Sequence, residues 1–427
     1  MTISALDFVL ASKNSEILCL RQLLQMGELV GVVSQLIHVL QRERGTANIF
    51  LCSEGQYFGD RLGERASQVQ LAQQLLAAKL GELDQSGQFM GNASRLFSRI
   101  ATVLHSLSIL PALRQQIAAR AIGQPEAMNA YCDVIHSHLS LVFEAVDTSA
   151  DPTISRALLA MFSFMQGKEL AGQERALGAA GFAARHFDDG AHQQLLSMID
   201  GQERCFQTFT EFADARCLAL WQQQQTLDSS EFERFRRIAC TRAKPVGEPT
   251  DVALRWFDVT TARIDGMKRI EDRLEDVLME CCKVRIAQAE QALSLGQKNI
   301  ASLELPMVGH QAQYAVFMAQ SAAAEGQQYQ TAGLNPQLGR SIVELVEEQS
   351  RQLQALDAEL AGLRASLSER KLIERAKGLL MQHHGLSEQQ AHKTLRDMAM
   401  NQNKKLAEIA EAMLAVADLL AKKPSNP

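Results

Sequence analysis

One arginine stands in the apolar stripe of a helix. Leu29, Val33, Leu36, Leu40, Arg44, Ala47 and Leu51 follow each other at steps of four and three, a spacing that keeps one helical face buried. A guanidinium in a bundle core is costly unless an anion pairs with it, either a carboxylate from another helix or a bound ligand. Spacing alone leaves both open. The surrounding string QRERGTANIFL (Gln41–Leu51) returns in weaker form as GQERALGAAGFA (Gly172–Ala183), with Glu-Arg, small residues and then Phe50 or Phe182. Such a repeat would place Arg44 and Arg175 at matching positions of two halves. Arg236 lies between Phe232 and Cys240 on a further helix and so faces partly inward, although Glu231 and Glu233 could simply balance Arg236 and Arg237 on a surface. The candidate anion ligands are therefore Arg44 with Arg236, then Arg175, then Arg237.

A second concentration of charge lies at the C-terminal end. Between Ser368 and Lys423 there are ten basic residues against seven acidic ones, in a chain with Lys+Arg 43, Asp+Glu 49 and a net charge of −6. That local excess is too modest to separate a nucleic-acid face from an ordinary solvated surface. No other chemistry is visible. There is no HExxH, phosphate-binding glycine loop, CxxC or Ser/His/Asp arrangement, and His383-His384 stands alone, so no enzyme, metal or cofactor is expected.

The elements that must carry these residues are helices. The chain of 427 residues is 46% apolar and only 5% aromatic, has 9 Pro, and lacks runs alternating at period two. Amphipathic stretches cover about 60–84, 91–121, 125–145, 153–181, 190–224, 231–243 and 251–292, with helix-ending residues at Pro125, Asp151-Pro152 and Asp188-Asp189-Gly190. The expected architecture is all-α: two antiparallel four-helix bundles over residues 1–300, then a connector over 301–340. Ile342, Val346, Gln349, Leu353, Leu356, Leu360, Leu363 and Leu367 make a heptad seam, so 341–367 is expected as a coiled-coil helix that could pair two copies. A single amphipathic helix lying on a neighbouring domain would give the same count. Three short helical patterns follow over 368–427, with a capping box at Ser387 and Gln390. No basic leader precedes an apolar block, and the apolar charge-free run Ile100–Leu113 is short of the roughly 20 apolar residues a membrane helix needs. The eight cysteines are scattered as reduced core thiols would be. The expectation is a cytoplasmic protein with no membrane contact.

The C-terminal strings carry a specific resemblance. RKLIERAKGLLM (Arg370–Met381), SEQQA (Ser387–Ala391), LRDMAM (Leu395–Met400) and NKKLAEIA (Asn403–Ala410) resemble, in order, the ANTAR family of RNA-binding antiterminator domains. The resemblance implies a three-helix module, usually following a coiled coil, that binds paired stem-loops of a leader mRNA. It implies an RNA-binding set of Arg370, Lys377, Gly378, Lys393, Arg396 and Ala399. Of these, Arg370, Lys393 and Arg396 suit phosphate contacts, Gly378 would allow close backbone approach, and Ala399 also suits a core position.

The N-terminal strings Arg42–Gly45, Lys168–Ala176 and Phe232–Arg237, with Trp256 opening a late helix, resemble the NIT domain, a nitrate- and nitrite-sensing module. Both regions together resemble nitrate- and nitrite-responsive transcription antiterminators. The implied ligand suits the arginines, because nitrate is a planar, weakly hydrated monoanion that a planar guanidinium can grip with two parallel hydrogen bonds. The resemblance implies a one-component switch in which nitrate or nitrite frees the RNA-binding module. A coiled-coil docking adaptor that binds no RNA is the alternative.

Overall fold

The computed structural model describes residues 5–85, 93–148, 151–227, 230–241, 249–303, 313–316, 327–330, 372–373, 375–380, 386, 388–402 and 404–421. The coiled-coil expectation over 341–367 and the candidate Arg370 lie outside these residues.

Ten helices occupy the described part of the chain up to residue 303: α1 (Ala5–Cys52), α2 (Leu62–Gln85), α3 (Ala93–Leu107), α4 (Leu110–Ala118), α5 (Gln124–Thr148), α6 (Pro152–Ala183), α7 (Asp189–Phe212), α8 (Ala215–Leu227), α9 (Ser230–Thr241) and α10 (Pro249–Leu303). The sequence breaks act as helix starts. Asp151 accepts a hydrogen bond from the Ile154 amide at 3.1 Å with Pro152 in the first turn, and Asp188 accepts from the Ala191 amide at 2.7 Å. Two stretches expected as single helices are divided. Pro111, in the first turn of α4, separates it from α3, and Asp214 separates α7 from α8 by accepting from the Arg216 amide at 2.8 Å.

The segment expected as a connector holds two short strands, β1 (Gln313–Val316) and β2 (Gln327–Gln330), paired antiparallel with Tyr314 opposite Tyr329. Tyr and Val favour strands, and four residues are too few for a periodicity signal to show against the Ala/Gln background. The all-helical reading otherwise stands. Near the C-terminus, helical residues 375–380 (α11) precede α12 (Glu388–Gln402) and α13 (Leu406–Ala421), which share a core of Ala376, Leu380, Ala391, Leu395, Ile409 and Leu414.

Contacts divide the chain into two units. One comprises Met1–Arg21 with Cys282–Leu360, where Arg21 pairs with Glu290 at 2.8 Å. The other comprises Gln22–Cys281 with Ala361–Pro427 and holds every candidate residue the structure describes. Within it α6 packs most extensively on α7, α3 and α6 pack on α5, and α9 rests on both α6 and α7. Three helices meet at the centre. Gln41 and Asn48 of α1 reach Glu169 and the Ala176 carbonyl of α6, so these two helices run parallel. Ser34 meets Glu271 and Gly45 meets Phe257, so α10 runs antiparallel to α1. At one end Phe182, Phe232, Phe235 and the fully buried Trp256 form an aromatic cluster, with Phe232 stacked on the indole at an interplanar angle of 13°.

Two helical stretches, Leu10–Cys52 and Ser94–Ala118, are long and apolar enough to cross a membrane, which the charge-free-run test missed. Most of the first is buried within the protein, as a core helix requires; the second is largely uncovered and shows Phe97 and Leu104 at its surface.

Candidate anion site and effector face

Burial of Arg44 follows from its place in the stripe, and its side chain is 1% exposed. Glu169 of α6 meets both terminal nitrogens, with Arg44 Nη2 donating to Oε2 at 3.1 Å and Nη1 to Oε1. Gln41 Nε2 and Gln173 Nε2 donate to the same carboxylate at 2.7 and 2.9 Å. Cys132 Sγ of α5 accepts from Nη1 at 3.1 Å. Burial opposes the Arg44 charge, but Glu169 outweighs it and holds the guanidinium above its ordinary range. Burial pushes the Cys132 thiol up to about 11, so it is neutral. The carboxylate partner left open by the spacing is therefore present.

Arg175 is placed differently. It is as deeply buried, yet among the described residues no carboxylate reaches it. Nη1 donates to Thr261 Oγ1 at 3.0 Å, Nη2 donates to the Gln41 carbonyl at 2.9 Å, and the guanidinium stacks over Phe257 at 5.0 Å. Burial first, and then the charge of Arg44, press its pKa down to about 9. It remains cationic at neutral pH, with Asp265 and Glu169 supporting that charge without bonding to it, so among the described residues the two arginines have direct contact with one carboxylate only. The Nε–H groups of both arginines are buried without a hydrogen-bond partner among the described residues. A buried cation that no carboxylate bonds and two idle donors are what a monoanion would satisfy.

The two arginines are seated reciprocally. A Cβ at Gly172 would lie 2.6 Å from Arg44 Nη2, and a Cβ at Gly45 would lie 2.6 Å from Arg175 Nη2. Each guanidinium occupies space vacated by a glycine on the other helix, which gives the sequence repeat a physical meaning.

Of the remaining arginines, Arg236 is matched by a carboxylate, as Arg44 is. Arg236 donates through Nε and Nη2 to Glu174 at 2.8 Å each, and to Gln202 Oε1 at 3.3 Å. Burial opposes its charge and the bonds to Glu174 override that, raising its pKa. Glu174, whose place in the repeat gave no hint of this role, occupies the edge an anion would need. Arg237 is exposed. Arg175 is thus the arginine brought against the helix of Arg44. Sequence reasoning missed Glu169, Thr261 and Phe257; the small residue at Gly172, three before Arg175, was the available signal for close approach.

A second buried polar layer lies nearer the N-terminal end of α1. The Lys168 ammonium pairs with Glu271, which also accepts from Ser34, and Lys268 pairs with Asp272 at 2.7 Å. Burial opposes ionisation of Glu271, but Lys168 and Lys268 hold its carboxyl down at about 2. Burial, then the Lys168 charge, lowers His38 to about 3. Among the described residues no cluster of three or more His, Cys, Asp or Glu side chains is grouped to hold a metal.

On the C-terminal helices, Lys393 Nζ donates to Gln193 Oε1 of α7 at 3.2 Å, and Arg396 lies 3.5 Å from Asp200 of α7. Lys377 is buried, whereas Gly378 is exposed with open space where a Cβ would be. Ala399 is a correction: it is 7% exposed and packs in the module's core, because it follows Ala391 and Leu395 at helical spacing. Its neighbour Met400 is 71% exposed and shares a face of α12 with Lys393 and Arg396.

The described residues form a predominantly helical region with charged side chains buried between parallel and antiparallel helices, and a small helical module near the C-terminus. The family model for nitrate and nitrite sensing, NIT, matches residues 35–279, and that for the ANTAR domain matches residues 361–414. The chain belongs to the NIT family of nitrate and nitrite sensors and carries an ANTAR domain at its C-terminal end. A nitrate regulatory protein of Klebsiella oxytoca is 38% identical over 400 residues, spanning 94% of this chain and 92% of that protein. A solved structure of the NasR transcription antiterminator superposes with a TM-score of 0.60 at 35% identity, covering 97% of this chain and 99% of that one. The transcriptional regulatory protein PdtaR of Mycobacterium tuberculosis is 40% identical over 72 residues, 17% of this chain and 35% of that protein.

Proposed function

We propose that this chain is a cytoplasmic, nitrate- and nitrite-responsive transcription antiterminator whose anion seat is built on Arg44 and Arg175. The observation that carries the seat is the burial of Arg175 without a carboxylate beside a second buried arginine. A planar monoanion gripped there pairs with the Arg175 charge and takes up idle N–H donors, in a dry site where such bonds are strong. Thr261 and the Gln41 carbonyl orient Arg175 for that task. Arg236 acts one shell out by holding Glu174 away from its sequence neighbour.

The output is binding of leader-mRNA stem-loops through α12, with Lys393 and Arg396 on phosphates and Met400 beside them. Lys393 and Arg396 engage Gln193 and Asp200 of α7. RNA and the sensor helix therefore compete for the same two side chains. Pairing of two copies through the heptad seam over 341–367 would present two modules to paired stem-loops. Moving the equilibrium from mostly docked to mostly free requires the anion to prefer the free packing by about 5.5 kcal/mol.

The test is isothermal titration of the full chain with nitrate, nitrite and chloride, together with a gel shift on a two-stem-loop leader RNA. The wild type should bind nitrate and nitrite but not chloride, with RNA affinity rising on nitrate; Arg44→Ala and Arg175→Ala should lose both responses. RNA binding indifferent to nitrate in the wild type would reject the switch.

A further inference from the structure

We propose that Glu169 is a built-in competitor of the ligand: its carboxylate covers the edge of Arg44 that a planar anion would grip, so an incoming anion must displace it and Glu169 sets the concentration at which the sensor responds. The inference rests on the anion seat proposed above.

Geometry carries the argument. Glu169 covers the edge of Arg44 that presents both terminal nitrogens, the same two-point grip a planar anion uses. It is not an accidental partner, because Gln41 and Gln173 each donate an amide N–H to it and the side chain is only 6% exposed. Only the Nε–H of Arg44 is left without a partner. A ligand that grips Arg44 at two points therefore meets a carboxylate already in place. Gly172 leaves the space in which the same guanidinium sits against α6.

Displacement also supplies a signal. The released carboxylate stays on α6, where the preceding residue, Lys168, is fixed to Glu271 of α10. Glu169 can leave Arg44 only by a change of rotamer or by movement of α6 against α1, and the second would strain the neighbouring Lys168–Glu271 pair. Exchange of one anion for another leaves the buried charge on Arg44 matched throughout. Arg44 is thus never left bare, and the cost of the exchange falls on the released carboxylate, which keeps Gln41 and Gln173 as neighbouring amide donors.

Glu169→Gln removes the competing charge while keeping its size, and Gln173→Leu removes one of the two amide donors that hold the carboxylate in place. Nitrate titrations of the full chain, with thermal melts at zero and saturating nitrate, compare both with the wild type. Glu169→Gln should melt lower than wild type without ligand, bind nitrate at least tenfold more tightly, and recover more melting temperature on saturation. Gln173→Leu should bind a few-fold more tightly. If Glu169 only positions Arg44, both variants bind nitrate more weakly or unchanged and the proposal is overturned; should Glu169→Gln fail to fold, Gln173→Leu alone decides between the same outcomes. A wild type that takes up no nitrate at all would instead reject the seat on which this inference stands.

Discussion

Adding a single methyl group at Gly172 should disturb the seat of Arg44 without touching any charge. The new Cβ would stand 2.6 Å from Arg44 Nη2. Optimal contacts between such atoms are about 3.5 Å, so the guanidinium must retreat by roughly 1 Å. Its Nη2–Oε2 bond to Glu169, now 3.1 Å, would then pass the limit of a useful hydrogen bond. Loss of one charge-assisted bond costs about 1.5–3 kcal/mol, and removing a mid-helix glycine returns about 1 kcal/mol, so Gly172→Ala should lower stability by about 0.5–2 kcal/mol. Glu169 and nitrate grip that same nitrogen, so the two losses partly offset, and nitrate binding should weaken by less than about tenfold. Gly81, on α2 with nothing within 4 Å of its missing Cβ, is the control, and its alanine variant should gain up to about 1 kcal/mol with nitrate binding unchanged. Urea denaturation and calorimetric titration read both quantities. A Gly172→Ala protein as stable as the Gly81→Ala protein, with wild-type nitrate affinity, would refute the reciprocal seating of the two arginines.

Four further outcomes are expected. Asp200→Arg, which sets a positive charge against Arg396, should raise RNA affinity without nitrate in a gel shift; unchanged affinity would show that α7 does not restrain α12. His38 and His138 are lowered by burial to about 3 and about 4, so the unfolded chain binds the extra protons below pH 6.5. Stability should therefore fall as pH drops from 6.5 towards 4, by up to about 1.4 kcal/mol per pH unit for each histidine, and a His38→Gln/His138→Gln variant should melt with a shallower pH dependence. Phe182→Ala, opening a cavity beside Trp256, should cost about 3–5 kcal/mol in urea denaturation. Nitrate affinity should decline as pH rises through about 9, where Arg175 loses its proton, and an affinity constant to pH 10.5 would exclude Arg175 from the site.

The helices and most of their ends were legible because Asp-Pro and Asp-Asp-Gly sequences stop or start helices by backbone chemistry alone. The turn at Asp214 was not, since its cap follows an apolar stripe that continues across it. Arg44 was legible as a charge in an apolar stripe, and the repeat pointed to Arg175. What the stripe could not show is who answers a buried charge across space. Glu169 and Glu174 lie five residues apart on one helix, yet one faces Arg44 and the other Arg236, and that division depends on how α1 and α9 are set around α6. Arg236, like Arg44, is met by a carboxylate that spacing along the chain does not reveal. In the C-terminal module the resemblance found the right strings but not which residues point outward: Ala399 takes the core position it also suited, and Met400 beside it is exposed.

Trp256 gives the molecule an optical consequence of its own. The chain has two tryptophans, and the Trp256 indole N–H donates to the backbone carbonyl of Arg175 at 3.0 Å while its ring stacks on Phe232. Indole emission responds to the polarity and hydrogen bonding of its surroundings, and this indole is tethered to the very turn of α6 that presents Arg175. Trp221 lies among Phe164, Phe206 and Phe209 instead. With Trp221 replaced by phenylalanine, the remaining fluorescence would come from one buried ring, and occupancy of the seat could be followed in time as a change in the colour of the protein's own light.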